Sequence, residues 1–167
     1  ALAGELRARH GLTGRPLATG RLHVTLHFLG DHAELPPALV ADACAAGSGV
    51  EAAPFEVVFD CAGSFARGRR GGPLVLTGSA GNAGLCRFRQ SLGAALADAG
   101  IGQHLHRDFK PHLTLLYDDR PVATQTIAPI RWTVRELLLV HSLVGRSRHT
   151  VLERWPVTVA FIKDRDG

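Results

Sequence analysis

Residues 21–29 read Arg-Leu-His-Val-Thr-Leu-His-Phe-Leu. Apolar and polar side chains alternate along this stretch. In an extended backbone Leu22, Val24, Leu26 and Phe28 therefore project to one side, and His23, Thr25 and His27 to the other. The period of two predicts a strand with one face in a core, closed by Gly30 and Asp31. The pattern returns in the second half of the chain, where residues 111–117 read Pro-His-Leu-Thr-Leu-Leu-Tyr and predict a second alternating strand over 112–117. Residues i and i+2 of a strand share a face about 6–7 Å apart. Each motif thus presents an imidazole beside a hydroxyl, His23 with Thr25 and His112 with Thr114, on a strand anchored by its apolar residues.

Working outward, residues 1–12 predict a helix with Leu2, Leu6 and Arg9 on one face and Gly11 at its end. A Gly- and Pro-containing loop covers 13–20. Pro36-Pro37 opens an alanine-rich helix to about Ala46. Residues 55–61 predict a strand, 62–73 a basic glycine-rich loop, and 74–78 a short strand. Residues 83–99 predict a helix: Leu85, Phe88, Leu92, Ala95, Leu96 and Ala99 recur at helical spacing, with Gly100 as the cap beyond them. Residues 131–144 predict one long strand, and 149–161 one or two more, broken at Pro156. Strands and helices are mixed and several strands are expected to be antiparallel neighbours, which makes the fold class α+β.

The chain has 167 residues, 46% of them hydrophobic and 20% charged, a composition that fits one globular domain with a core of its own. No apolar run approaches the ~18 residues of a membrane helix, so no membrane partner is expected. Cys44, Cys61 and Cys86 are odd in number and lack CxxC spacing, which predicts thiols in a reducing cytoplasm. A net charge of +4 mildly favours an anionic partner. The sequence starts inside helix-forming residues and contains no Met. A natural N-terminus with a first strand is therefore expected before Ala1.

Two His-x-Thr motifs suit phosphodiester chemistry. A neutral imidazole takes a proton from water and an imidazolium gives one to a leaving alkoxide, both near neutral pH because the reference pKa is ~6.5. Threonine hydroxyls donate hydrogen bonds to the non-bridging phosphate oxygens. The chemistry then needs neither a metal nor a covalent nucleophile, and no cofactor is expected. The competing account of either motif alone is a half-buried histidine bonded to a nearby threonine. Its repetition on two strands favours catalysis.

At these residues the chain resembles the 2H phosphoesterase superfamily, and within it the branch of RNA 2',3'-cyclic phosphodiesterases and 2'-5' RNA ligases. The resemblance covers LHVTLHFLGD at 22–31, the Gly63-Ser64-Phe65 turn with the strand after it, the helix at 83–99, FKPHLTLLYD at 109–118, and the strand ending LVHSL at 139–143. It implies a two-lobed, pseudo-symmetric α+β fold of antiparallel sheets flanked by helices, with the motifs facing each other across a central cleft. It implies His23 as general acid, His112 as general base, and Thr25 and Thr114 as the phosphate-holding residues. The implied partners are RNA ends or cyclic-phosphate nucleotides, acted on by a monomer. Members acting on RNA ends often carry an arginine where this chain has Tyr117, which leaves the phosphate contact there open. An RNA-end binding module with little turnover, or 2'-5' ligation in the same cleft, are the alternatives.

Other residues carry chemistry of their own. His27 shares a face with His23, but four residues of strand separate them by about 13 Å, too far to chelate one metal. Phe65 fits either base stacking or a place in the core. Arg67, Arg69 and Arg70 make a basic turn that is either solvated or steers RNA. His104 and His106, near Arg107 and Lys110, suit a surface loop. Gly71-Gly72 lacks the Lys-Ser/Thr of a phosphate loop, and Ser142 and Ser147 show no serine-hydrolase arrangement.

Overall fold

A computed structural model describes residues 2–65, 71–104, 108–143 and 148–158. Arg67, Arg69, Arg70, His106, Arg107 and Ser147 lie outside the described residues, as does the side chain of His104. The elements in chain order are α1 (Leu2–Arg9), α2 (Pro37–Ser48), β1 (Phe55–Ser64), β2 (Gly72–Thr77), α3 (Ala83–Asp98), β3 (Leu113–Asp118), β4 (Gln125–Val134), β5 (Glu136–Leu143) and β6 (Arg148–Pro156). The class is α+β, with antiparallel sheets. One has the order β3-β2-β1-β4 and the other is the pair β5-β6.

The chain divides into two compact units. The first comprises Ala1–Leu26, Val58–Ala83 and Asp108–Trp132. Its core holds Leu6 and Leu12 together with Phe59, Ala62, Leu74, Val75, Leu76, Leu115, Leu116 and Val122, all buried. Phe59 meets Trp132 edge to face at 5.3 Å between ring centres, a favoured aromatic geometry. The second unit comprises His27–Val57, Gly84–Arg107 and Thr133–Gly167. There the apolar stripe of α3 (Leu85, Phe88, Leu92, Leu96) is buried, and Phe88 packs on Phe55 at 5.4 Å. Gly100, at φ +82°, ends the helix in the left-handed conformation that glycine adopts freely. Helix α2 fits β6 only because Gly47 has no side chain: an added Cβ would lie 2.8 Å from the Trp155 ring.

Three expectations change. Residues 21–29 have no ladder partner among the described residues. Their alternation holds through Leu26, with His23 and Thr25 exposed and Leu22, Val24 and Leu26 half-buried. It then slips: Phe28 is 50% exposed, while His27 is half-buried and donates Nε2–H to the Arg89 carbonyl at 3.0 Å. Alternation reports which face meets apolar neighbours, whereas a strand also needs a backbone beside it. The glycine-rich loop predicted at 62–73 is shorter than expected, because β1 runs to Ser64 and β2 begins at Gly72. Gly63 and Gly71 serve close backbone approach, to Thr124 and to Asp118–Asp119 respectively. The single strand predicted over 131–144 is two strands in different sheets, β4 ending at Val134 and β5 starting at Glu136. The expectation over 149–161 is met as one strand, β6, ending at Pro156, with 159–161 outside the described residues.

Strand β3 carries the feature that shapes the first unit. Leu74 pairs with Leu116, but the next residue, Val75, pairs with Thr114, so Leu115 is an extra residue, a β-bulge. The bulge explains why the successive residues Leu115 and Leu116 are both buried. On the outer edge of β3 the Leu115 carbonyl accepts from Leu17 N–H at 2.8 Å. One turn of chain away, Asp118 Oδ2 accepts from the Thr13 and Gly14 amides, each at 2.7 Å, and its Oδ1 accepts from Arg120 N–H at 2.9 Å. Loop 13–17 is thereby fastened along an edge strand that would otherwise expose unpaired backbone.

Gly14 sits too close to β3 for any side chain: its Cβ would lie 2.0 Å from the Tyr117 carbonyl oxygen. Gly14→Ala is expected to destabilise the protein by about 1–3 kcal/mol, the usual cost of overpacking, read from the urea midpoint at constant slope. The amides of Gly14 first, then Arg120 and Thr13, hold the Asp118 carboxyl below the usual carboxylate range. Its stabilisation is present above the unfolded value of ~3.9 and is lost as pH falls through the lower folded value. The urea midpoint of Asp118→Asn is therefore expected below wild type near neutral pH, with the gap closing as pH drops below about 4. A gap that persists unchanged in acid would contradict the role given to the charge.

Candidate active site

All six residues singled out by the sequence, His23, Thr25, Phe65, His112, Thr114 and Tyr117, lie in the first unit. His23 follows a short 3-10 turn, Thr19–Arg21, and turns its ring back so that Nδ1 donates to the Arg21 carbonyl at 2.7 Å. His112, just before β3, makes the same bond to the carbonyl two residues behind it, Lys110, also at 2.7 Å. A carbonyl can only accept, so Nδ1 carries a proton in both rings and Nε2 is the nitrogen left for proton exchange. His23 Nε2 lies 3.1 Å from Thr25 Oγ1. The neutral ring accepts the hydroxyl proton there. The imidazolium instead donates to the hydroxyl oxygen and leaves the Thr25 proton for another acceptor. The shared i to i−2 bond makes the two motifs alike in geometry as well as in sequence.

Phe65 packs its ring against His112, with centres 4.9 Å apart and planes tilted by 58°. This contact resists rotation of the imidazole about its side-chain bonds. Phe65 N–H also bonds the Pro73 carbonyl at 3.0 Å, which continues the β1–β2 register beyond Ser64. Paired residues in adjacent strands point to the same side. Thr114 therefore shares its face with Val75 and Gly63, and Tyr117, opposite Pro73, shares that face too. Strict alternation would have put Tyr117 on the other side from Thr114; the bulge at Leu115 reverses this. Tyr117 is 63% exposed, so its ring is available to a ligand.

His27, on the motif face by alternation, instead belongs to the second unit and is tied to α3 through the Arg89 carbonyl. Among the described residues no group of three or more His, Cys, Asp or Glu side chains is placed to hold a metal ion. Asp118 lies outside both His-x-Thr motifs, yet it fastens loop 13–17 to β3. Its signal was present: an aspartate at a strand end, two residues before an amide it can accept from, is an Asx turn. The amides of Thr13 and Gly14 could not be paired with it from sequence, being more than a hundred positions away. The two carbonyls that fix the histidine tautomers carry no sequence signal at all, since every residue has one.

Three comparisons place the chain among known proteins. It is 35% identical over 151 residues to the RNA 2',3'-cyclic phosphodiesterase of Escherichia coli, covering 87% of this chain and 81% of that one. The crystal structure of E. coli LigT complexed with 3'-AMP superimposes with a TM-score of 0.68 at 30% identity, covering 93% of this chain and 88% of that one. The TT0787 protein of Thermus thermophilus shares the fold, with a TM-score of 0.74 at 23% identity over 96% of this chain and 93% of that one. Residues 2–146 match the 2'-5' RNA ligase superfamily, and with the paired, identically tethered histidines this extent of likeness means that the chain belongs to that superfamily.

Proposed function

We propose that the protein hydrolyses 2',3'-cyclic phosphate at RNA ends, leaving a 2'-phosphate, by acid–base catalysis between two histidines and without a divalent metal. The observation that carries this reading is the pair of 2.7 Å bonds from His23 Nδ1 and His112 Nδ1 to backbone carbonyls. Each bond dedicates one Nε2 to proton transfer. His112 acts as the base, taking a proton from the attacking water. His23 acts as the acid, giving its Nε2 proton to the leaving 3' oxygen. Thr25 and Thr114 donate to the non-bridging oxygens, where negative charge gathers in the transition state, and Phe65 and Tyr117 contact the rest of the substrate. Acid and base exchange protonation states in each turnover, so water restores both and no other reactant is consumed.

The name of the E. coli relative and the 3'-AMP in the LigT complex support nucleotide phosphates as ligands. Cys44, Cys61 and Cys86 are all thiols, in keeping with a reducing cytoplasm. Among the described residues no helix is long and apolar enough to cross a membrane.

Purified protein is expected to convert 2',3'-cyclic nucleotides and RNA ends to 2'-phosphates in excess EDTA, with the product identified by phosphorus NMR. Loss of turnover restored by zinc or manganese would refute the metal-independent scheme, and mainly 3'-phosphate product would reverse the assumed in-line geometry.

His23→Ala and His112→Ala are each expected to lower kcat by about 10²-fold or more, since each deletes a proton-transfer partner. Thr25→Ala and Thr114→Ala should cost less than either, each removing one hydrogen bond. The double histidine variant should lose less than the product of the single losses, because both groups act in one step. Near wild-type turnover in both histidine variants would end the catalytic reading. Tight binding of RNA ends with no turnover by the wild type would identify a binding module.

A further inference from the structure

The reacting phosphate is served by two imidazoles and two hydroxyls, none of them permanently charged. An RNA end brings a second anion, the phosphodiester that joins its last two nucleotides. Several cations of the chain are already engaged or solvated. Arg7 donates to the Gly14 carbonyl at 3.1 Å, Arg120 to the His10 carbonyl at 3.3 Å, and Arg154 pairs with Glu136 at 3.1 Å. Lys110, two residues before His112, is exposed.

Arg21, two residues before His23, is different. It is half-buried, and its Nε is sealed from solvent with no hydrogen-bond partner among the described residues. No carboxylate among those residues pairs with it. A guanidinium keeps its charge throughout the pH range of proteins and has five N–H donors to place. A buried donor left without an acceptor destabilises the fold by more than an average hydrogen bond contributes. An anion whose oxygens accept from the guanidinium removes that penalty, and the planar fork matches two phosphate oxygens at once.

Position identifies the anion. The Arg21 carbonyl holds the His23 ring at 2.7 Å, so the Arg21 side chain starts beside the proposed acid. Leu22 between them is extended, at φ −71° and ψ 123°. The alternation that puts His23 and Thr25 on one side puts Arg21 there too, about 6–7 Å from His23. Thr25, which takes the reacting phosphate, lies beyond His23 in the opposite direction along the chain.

Resting on the phosphodiesterase reading above, we propose that Arg21 binds the phosphodiester on the 5' side of the terminal nucleotide. The preferred substrate is then an RNA end of two or more nucleotides rather than a cyclic mononucleotide.

Steady-state kinetics on three substrates test this: 2',3'-cyclic AMP, the dinucleotide ApA ending in 2',3'-cyclic phosphate, and the same dinucleotide with a neutral methylphosphonate linkage. For the wild type, KM for the charged dinucleotide should be about tenfold below that for the other two, the lower end of what a hydrogen bond to a charged group supplies. Arg21→Met keeps the apolar stem and removes the donors. It should bring the three KM values together, chiefly by raising that of the charged dinucleotide. Its plot of log kcat/KM for that substrate against log salt should be shallower by about 0.7, the loss of one phosphate contact on a single strand. Arg21→Lys should keep the salt slope and recover part of the KM. The urea midpoint of Arg21→Met should equal or exceed that of the wild type, because the donor it removes has no partner in the fold. Equal wild-type KM values for the charged and neutral dinucleotides, an Arg21→Met loss shared equally by all three substrates, an unchanged salt slope, or a lowered urea midpoint overturns the assignment and leaves the phosphodiesterase reading standing. No wild-type turnover on any of the three overturns that reading, and the assignment with it.

Discussion

One extra residue in β3 decides which side chains share a face in the first unit. With Leu115 bulged out of the ladder, Leu115 and Leu116 both enter the core and Tyr117 comes round to the side of Thr114. The carbonyl of the same residue takes the Leu17 amide, and three residues on Asp118 takes the amides of Thr13 and Gly14. The segment leading to His23 is thus attached to the strand that follows His112. A bulge that both re-aims side chains and ends regular pairing is a common neighbour of active sites. Here it does so with hydrogen bonds that leave loop backbone satisfied along an edge strand.

The histidines depend on a humbler constraint. Imidazole has two nitrogens, and a ring free to choose its tautomer would present the wrong one part of the time. Bonding Nδ1 to a carbonyl two residues back removes that choice at His23 and at His112. Phe65 adds packing at His112, and Thr25 adds a hydroxyl at His23. The two rings start alike and differ in their neighbours.

The glycines mark where backbones crowd. Gly14 against Tyr117, Gly71 against Asp118 and Asp119, and Gly47 against Trp155 each leave no room for a methyl group. Two of the three lie around the end of β3. Close approach there brings a polar loop, an aromatic ring and two carboxylates together. Gly71-Gly72 lacks the residues of a phosphate loop, and what Gly71 provides is steric room.

The sequence by itself determined the two motifs, the chemistry of their side chains, the mixed α+β class, and the three helices to within a few residues. These follow from local rules: a period of two or near 3.6 tells which side chains share a face, and proline and glycine tell where a helix starts and stops. Tertiary structure alone decided that residues 21–29 have no ladder partner among the described residues. It also decided that 131–144 divides between two sheets, and that Tyr117 joins the face of Thr114. Each of these depends on a neighbour distant in sequence, whether a missing ladder, a change of partner strand, or one unpaired residue in a register. Alternation along a single strand cannot encode what lies beside it.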